Sequence, residues 1–599
     1  MPIEPSPNAS RPFGTITPLQ LFLRTGQRAV VCLLVAIQAF AQAHGPAPPP
    51  PPGVATYVCK DRIIPQLVDI TKESGITFTH LFAPDKKYIV ESMSGGVLIV
   101  DYDRDGWPDI YFTNAPTVDM ALQGKKANSA LYHNNHDGTF TDVTSKAGVA
   151  TPCFAMGGTV GDYNNDGWPD IYVTCLGGNV LYKNNGNGTF TDVTKQAGVA
   201  DGRWSMGAAF GDYDGDGFVD LMVTNYVDFK LTDLPGFGSK PTCKYRGIDV
   251  QCGPRGLKGA GDALYHNNRD GTFSDVAKTA GVSDPEGYYG LGVIWSDFNN
   301  SGRPDIYVAN DSTPNFLYKN EGKGKFTDIG LESSTAVSND GSEQGSMGVA
   351  VGDYDHTGRF SIYVTNFVDE NNALYRNQGD YDFREVSYDA GVGLSTLPYV
   401  KWGDAFVDLD NDGWEDLISV NGQVYPQVDT LPSGARYRQP KNLFMNERNG
   451  KFCDASQQAG PALVEPRSSR GLAVADLDND GNVDIVISDI DGSPLILHNK
   501  GIPGTHWVSF ELEGTKSNRL ALGARVTLTT AGMTQTDEVR SGGSYLSQSD
   551  LRLHFGLAAA TKIDHAEIRW PSGTVEKLTN LPADHFYRIR EGSGIVPSR

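Results

Sequence analysis

The 599-residue chain carries a net charge of −22 and a pI near 4.9. That charge repels phosphate backbones and argues against nucleic-acid binding. With 69 glycines, 26 tyrosines and 26 phenylalanines and no long charged helical pattern, the composition favours a turn-rich β protein of two or more domains.

At the N-terminus, Arg24 and Arg28 precede the apolar run "AVVCLLVAIQAFAQA", and Ala41 and Ala43 form an A-x-A cleavage site. The run is shorter than the ~20 residues of a membrane span, so residues 1–43 are expected to be a signal peptide. An uncleaved anchor is the alternative. Residues 44–62 follow as a stiff Pro-rich linker, and no integral span is expected once the signal is removed. The body is expected to be secreted, periplasmic or at the cell surface. Without Cys32, six cysteines remain, an even number in a compartment where disulfides persist. Cys243 and Cys252 are the expected pair; Cys59, Cys153, Cys175 and Cys453 have three possible pairings.

The stretch "DYDRDGWPD" at 101–109 packs four aspartates into nine residues. Two such charges ~4 Å apart at an effective dielectric near 20 repel by roughly 4 kcal/mol. The pattern recurs at 162, 212, 297, 353, 408 and 476, at intervals of 50 to 85 residues, always with glycine at its sixth position. Oxygen donors at positions 1, 3, 5 and 9, with the carbonyl of position 7, match calcium, a hard cation taking six to eight oxygens. The candidate ligands are Asp101, Asp103, Asp105, Trp107 and Asp109; Asp162, Asn164, Asp166, Trp168 and Asp170; and Asp212, Asp214, Asp216, Phe218 and Asp220. The later loops offer Asp297, Asn299, Ser301, Arg303 and Asp305; Asp408, Asp410, Asp412, Trp414 and Asp416; and Asp476, Asp478, Asp480, Asn482 and Asp484. Loop four lacks two carboxylates and loop five ends in Ser361. We therefore expect about five strong Ca2+ sites, one weaker site, and an empty fifth loop. No EF-hand is implied, because position 12 is Phe112 or Val173 where a bidentate glutamate would stand.

A second phrase alternates with the loops: "LYHNNHDGTFTDVT" at 131 is matched at 181, 264, 317, 374 and 443. Each unit thus holds four strands, one on either side of the aspartate loop and two in a following hairpin. Seven such units predict an all-β fold, a seven-bladed β-propeller with a small C-terminal β domain. The seventh unit has "LILHNKG" at 495 without its partner, and "QLVDITKESGI" at 66 is a partner without a unit. The N-terminal segment is therefore expected to close the ring.

These loops resemble the FG-GAP repeats of integrin α-subunit propellers. The chain resembles the cartilage acidic protein family more closely, in "CGPRGL" at 252, "ANDSTPNFLYKN" at 309, "VNGQVYPQVD" at 420 and "RGLAVADLDNDG" at 470. After 505, "LGARVTL", "GGSYLSQSDLRLHFGL" and "IRWPSG" resemble its ASPIC/UnbV domain. The resemblance implies a secreted calcium-binding propeller at 63–503 followed by an ASPIC/UnbV-like domain at 504–592, with 593–599 a tail. It implies no reaction.

Of the two propeller ends, one carries the uniform aspartate loops and the other the variable connections. The longest of these, 226–263 and 421–442, are the expected partner surface. They hold Lys244, Arg246, Arg255 and Lys258 among Phe237, Tyr245, Tyr425 and Tyr437, a composition suited to an extracellular anionic glycan or acidic protein. No GxSxG, Walker or HExxH motif occurs. His133 and His266 are read as strand-surface residues, since Lys183 and Lys319 occupy the equivalent places. A non-catalytic binding protein is expected. The rival is an extracellular polymer hydrolase, which would need a raised-pKa carboxylate near the channel outside the seven loops.

Overall fold

The computed structural model describes residues 57–597 apart from 84, 86–87, 152, 235–242 and 433. The signal segment, linker residues 44–56 and Phe237 lie outside the described residues. No described helix is long and apolar enough to cross a membrane.

Seven antiparallel four-stranded sheets follow one another along the chain. The first comprises Val97–Val100, Asp109–Phe112, Ala130–Asn134 and Phe140–Asp142. The seventh comprises Ser469–Ala475, Asp484–Asp489 and Leu495–Asn499, and its fourth strand is Leu67–Asp69. Leu67 pairs with Asn499 and Asp69 with Leu497, so the ring closes with the N-terminal strand. Closure leaves only the short outer strands of the blades as sheet edges.

The first strand of each blade faces the axis, and each carries, or is directly preceded by, a glycine at a close approach. A Cβ on Gly207 would lie 2.2 Å from the carbonyl oxygen of Leu291, and one on Gly348 2.2 Å from that of Trp402. Only glycine permits that approach.

Three disulfides are present: Cys243–Cys252 as expected, Cys153–Cys175, and Cys59–Cys453, which spans 394 residues. Two boundaries differ from expectation. Tyr57–Cys59 is packed on the sixth blade, where Val58 bridges Asp454. The expected tail contains the strand Gly594–Val596, hydrogen-bonded to His585–Arg590. Position relative to a motif did not reveal either partner.

The C-terminal domain packs two four-stranded sheets, one of which pairs His506–Glu513 in parallel with His585–Arg590. It sits on the aspartate-loop end of the propeller: Arg569 reaches Asp297 at 2.8 Å, and Arg519 N–H donates to the Asn165 side chain. Between Met533–Glu538 and Leu553–Ala558 the chain leaves this domain and runs down the propeller axis. Residues 541–549 bond the first strand of every blade. Ser547 Oγ accepts from Val97 N–H, Ser541 Oγ meets Thr159 Oγ1 and accepts from Phe210 N–H, and Gly543 N–H donates to Val293 O. Ser544 N–H donates to Val349 O while its Oγ accepts from Asp404 N–H, and Ser549 Oγ accepts from Val474 N–H. Tyr545, fully buried, donates to Met93 O at 2.7 Å and meets Trp402 edge-on. The channel is thus filled by the protein's own chain.

The far mouth of the channel is covered by the variable connections. Segment 226–263 contains a hairpin, Cys243–Tyr245 with Ile248–Val250. The expected display of aromatics is overturned: Tyr245 and Tyr437 are buried in the cluster that contains Met93, Trp402 and Tyr545, and Tyr425 packs on Tyr245 at 5.4 Å. Capping the apolar channel mouth requires apolar side chains there. The expected basic patch is also offset, since Lys244, Arg246, Arg255 and Lys258 pair with Asp249, Asp369, Glu343 and Asp228.

The axial segment makes a testable demand. Tyr545→Ala should cost about 3–5 kcal/mol, the usual loss for a large aromatic removed from a core. Denaturant unfolding should show that loss in a single transition shared by propeller and C-terminal domain. Separate transitions, with the propeller's midpoint unmoved, would contradict the axial role.

Candidate metal centres

Each aspartate loop has one construction. The position-1 carboxylate accepts the backbone N–H groups of positions 5 and 6 at 2.7–3.1 Å, from Asp101 through Asp476, loop five's Asp353 included. The position-9 carboxylate accepts the N–H of position 2 with one oxygen. Its other oxygen accepts the N–H of the asparagine in "LYxN". In loop five Ser361 Oγ takes that bond. Positions 1, 3 and 5 of the first loop lie within ligand-cluster range of one another, as do positions 3 and 9 of the first and seventh and positions 3 and 5 of the third.

Burial gives these groups their electrostatics. The carboxyls of Asp101, Asp109, Asp162 and Asp212 are pushed up to about 7, and Asp476 to about 8, by burial first and by neighbouring carboxylates. Asp170, Asp408 and Asp416 are also raised well above the ordinary value for the same reasons. Two hydrogen bonds per carboxylate do not offset desolvation; a divalent cation at the convergence of positions 1, 3, 5 and 9 would.

Sequence reading missed a recurrent cationic or metal-ligating neighbour. His133 Nδ1 lies 3.2 Å from Asp109 and 3.4 Å from Asp103; His266 and His498 stand likewise against loops three and seven. These histidines face the loops, not open strand surface. Lys183 approaches Asp166 at 3.3 Å, and Arg376 meets Asp355 at 2.6 Å in loop five. Blade six has Met445 there, and Arg62 from the N-terminal segment takes over, touching Asp410 and lying 3.4 Å from Asp412, with Arg448 also on Asp412 at 2.7 Å. Loop four has both terminal carboxylates engaged, Asp297 by Arg569 and Asp305 by the Tyr381 hydroxyl at 3.0 and 3.1 Å. The column of His, Lys and Arg before the "LYxN" asparagine was the available signal.

The "LYxN" asparagine itself was also missed. In all seven blades its side-chain amide donates to the position-2 carbonyl of the preceding blade at 2.7–2.9 Å: Asn184 to Tyr102, Asn267 to Tyr163, and Asn134 across the closure to Leu477.

One buried carboxylate lies near the axis outside the loops. Asp404 is 1% exposed, and neither of its carboxylate oxygens has a hydrogen-bond partner among the described residues. Burial raises its pKa well above the ordinary value. It borders a cavity of about 180 Å3 beneath the C-terminal domain, where the axial segment covers it.

With this geometry in view, comparison with known proteins decides the family. FG-GAP-like repeats match residues 101–173, 162–223, 255–308, 297–364 and 408–487. The ASPIC and UnbV family matches residues 514–596. The chain belongs to the FG-GAP repeat family. Among curated relatives, cartilage acidic protein 1 of Xenopus tropicalis is 29% identical over 310 residues, 51% of this chain and 44% of the relative. The human protein of that name is 28% identical over 308 residues, 50% and 43% of the two chains. The FG-GAP chain thus spans less than half the length of these relatives. Among solved structures, a lectin of Agrocybe aegerita that recognises terminal N-acetylglucosamine is similar at 17% identity and a TM-score of 0.33, over 60% of this chain and 79% of that one. Trypanosoma rangeli sialidase is similar at 12% and 0.32, over 68% and 54%. Likenesses this remote carry no argument about activity or ligand.

The raised carboxyls set a pH dependence. Their ordinary value is 3.8, and in the ion-free fold several stand at about 7. Because the folded value is the higher, their contribution to stability is fully present below about 4 and lost as pH rises through about 7. In excess chelator the melting temperature should fall between pH 5 and 8. Saturating calcium, which favours the charged form, should abolish that fall. A chelated protein whose melting temperature is flat or rising over this interval would contradict the assignment.

Proposed function

We propose that the chain is a secreted, non-catalytic FG-GAP propeller that holds calcium structurally and binds an extracellular glycan or protein. The observation that supports it is the convergence of buried carboxylates in loops one, two, three, six and seven, where backbone hydrogen bonds to the position-1 and position-9 aspartates do not offset their desolvation. Calcium is assigned to loops one, two, three, six and seven, with Arg62 competing in loop six. Loop four is weaker, and loop five is served by Arg376. The three disulfides suit an oxidising compartment. One observation favours the hydrolase reading, the raised Asp404 carboxyl, but its cover by Ser544 weighs against access by a polymer.

Elemental analysis of protein purified in calcium should find about five ions per chain. A native-state ligand stabilises by about 4 kcal/mol per site at a thousandfold excess over Kd, so EDTA should lower the melting temperature markedly. An unchanged melting curve, or protein without calcium, would refute the metal assignment. Calcium-loaded protein should also be retained by at least one ligand on an array of extracellular glycans and proteins. Turnover of a polymer that Asp404→Asn abolishes would establish the hydrolase instead.

A further inference from the structure

Position 4 of every aspartate loop lies in the left-handed region, from Arg104 at φ 60° to Asn479 at φ 55°. Its occupants elsewhere are Asn165, Gly215, Asn300, His356, Asn411 and Asn479, mostly the types that tolerate this conformation. Five of them hydrogen-bond the glycine carbonyl of the next blade's loop: Asn165 to Gly217, Asn300 to Gly358, His356 to Gly413, Asn411 to Gly481 and Asn479 to Gly106. Gly215, without a side chain, and Arg104 are the exceptions. At Arg104 a long side chain occupies an unfavourable backbone position; burial disfavours its charge, which Glu513 and Glu511 favour from a distance, and its guanidinium has no hydrogen-bond partner within range among the described residues.

Its guanidinium, half-buried, lies over Trp168 at 5.7 Å and borders a cleft of about 290 Å3 between the first two loops and the strands His506–Glu513 and His585–Arg590. The other cleft arginines are engaged: Arg588 by Glu513 at 2.6 Å, Arg519 by Glu513 at 3.6 Å, and Arg552 by Asp550 at 2.7 Å. Trp107, stacked on His136, and Phe586 supply aromatic walls. The volume is near the lower end of ligand pockets, which combine aromatic lining with a few placed polar groups.

We propose that this cleft binds a carboxylate-bearing sugar ring, a hexuronate. The assignment rests on the extracellular binding role above and places the ligand on the aspartate-loop end, not on the opposite face. Arg104 offers two parallel N–H donors matched to a carboxylate. Glu513, which already accepts from Arg588 at 2.6 Å, keeps further lone pairs on its carboxylate that would accept from ring hydroxyls, and the aromatic walls would exclude water from the ion pair. The same headgroup occurs as a free sugar acid and as a residue of an acidic polysaccharide.

The test uses the full, calcium-loaded chain and isothermal titration with glucuronate, galacturonate, oligogalacturonides, glucose and galactose. A hexuronate should bind at least about tenfold more tightly than its neutral sugar, the smallest gain expected from a charge-assisted pair. Tighter binding of the oligomer than of the monomer identifies the polysaccharide as the source, and equal binding the free acid. Arg104→Asn, which installs the residue of loops two, four, six and seven, should lose at least about tenfold in affinity at unchanged calcium content and melting temperature. If it does not fold, Arg104→Lys should keep the charge and lose part of the affinity. Equal binding of acid and neutral sugars, undiminished binding by Arg104→Asn, or no binding of any hexuronate at about 1 mM overturns the assignment. So does binding of acidic peptides alone. An array ligand retained equally by Arg104→Asn would sink this cleft and leave the proposed function standing; calcium-free purified protein would sink the latter alone.

Discussion

The inner edge of the propeller must be satisfied. The first strand of each blade presents N–H and C=O groups toward the axis that no neighbouring strand reaches, and a buried backbone group without a partner costs free energy comparable to a lost hydrogen bond. Residues 541–549 meet that demand at all seven blades in turn. The C-terminal domain is consequently the source of the propeller's axle as well as a neighbour packed on its end. This explains why Gly96 and Gly157 lie so close to the backbone of Leu546. It also removes the open channel in which a propeller enzyme would place its chemistry, leaving Asp404 behind Ser544.

Around the circumference the same atoms serve two purposes. The position-9 aspartate holds the backbone N–H of the "LYxN" asparagine, whose side chain ties its blade to the preceding one. A cation drawn to that aspartate therefore acts on an inter-blade contact through one shared residue. Position 4 adds a second circle of hydrogen bonds, passed from loop to loop at five of seven seams. Loop order and blade packing are thus mechanically continuous. The aspartate loops therefore contribute to the closure of the ring through the asparagine each of them holds.

What was legible in the sequence was the local repetition. Aspartate loop, glycine and "FTDVT" hairpin recur at fixed internal spacing, so blade number, strand order and closure by "QLVDIT" follow from matching short phrases. The axle was not legible, because "SGGSYLSQS" has the periodicity of neither a strand nor a helix and its partners are seven different blades. The variable loops misled for a related reason. Tyr245 and Tyr437 stand among basic residues in sequence, but in space they cap an apolar channel, and the acids that pair with Arg246 and Arg255 lie about a hundred residues away at Asp369 and Glu343. Composition along the chain reports neighbours only where contacts are local.

Blade six shows how the fold handles a missing local part. Where other blades set a His, Lys or Arg beside the loop, this one has Met445, buried in an apolar cluster. Arg62 arrives from the N-terminal segment to face Asp410 and Asp412, its Nη1 on the carbonyl of Asn446 at 2.8 Å. Three residues earlier, Cys59 is bonded to Cys453 on the strand next to Met445. The disulfide limits the freedom of the segment that carries Arg62, so the guanidinium reaches the loop at a small entropic cost. Loop six therefore sets two guanidinium groups against its carboxylates, whereas loops one and seven are faced by His133 and His498, whose protonated form is favoured by the hydrogen bonds to Asp109 and Asp484, and loop three by His266 together with Arg269, which meets Asp216 at 2.6 Å. The unequal loops follow from what stands opposite them as much as from their own carboxylates.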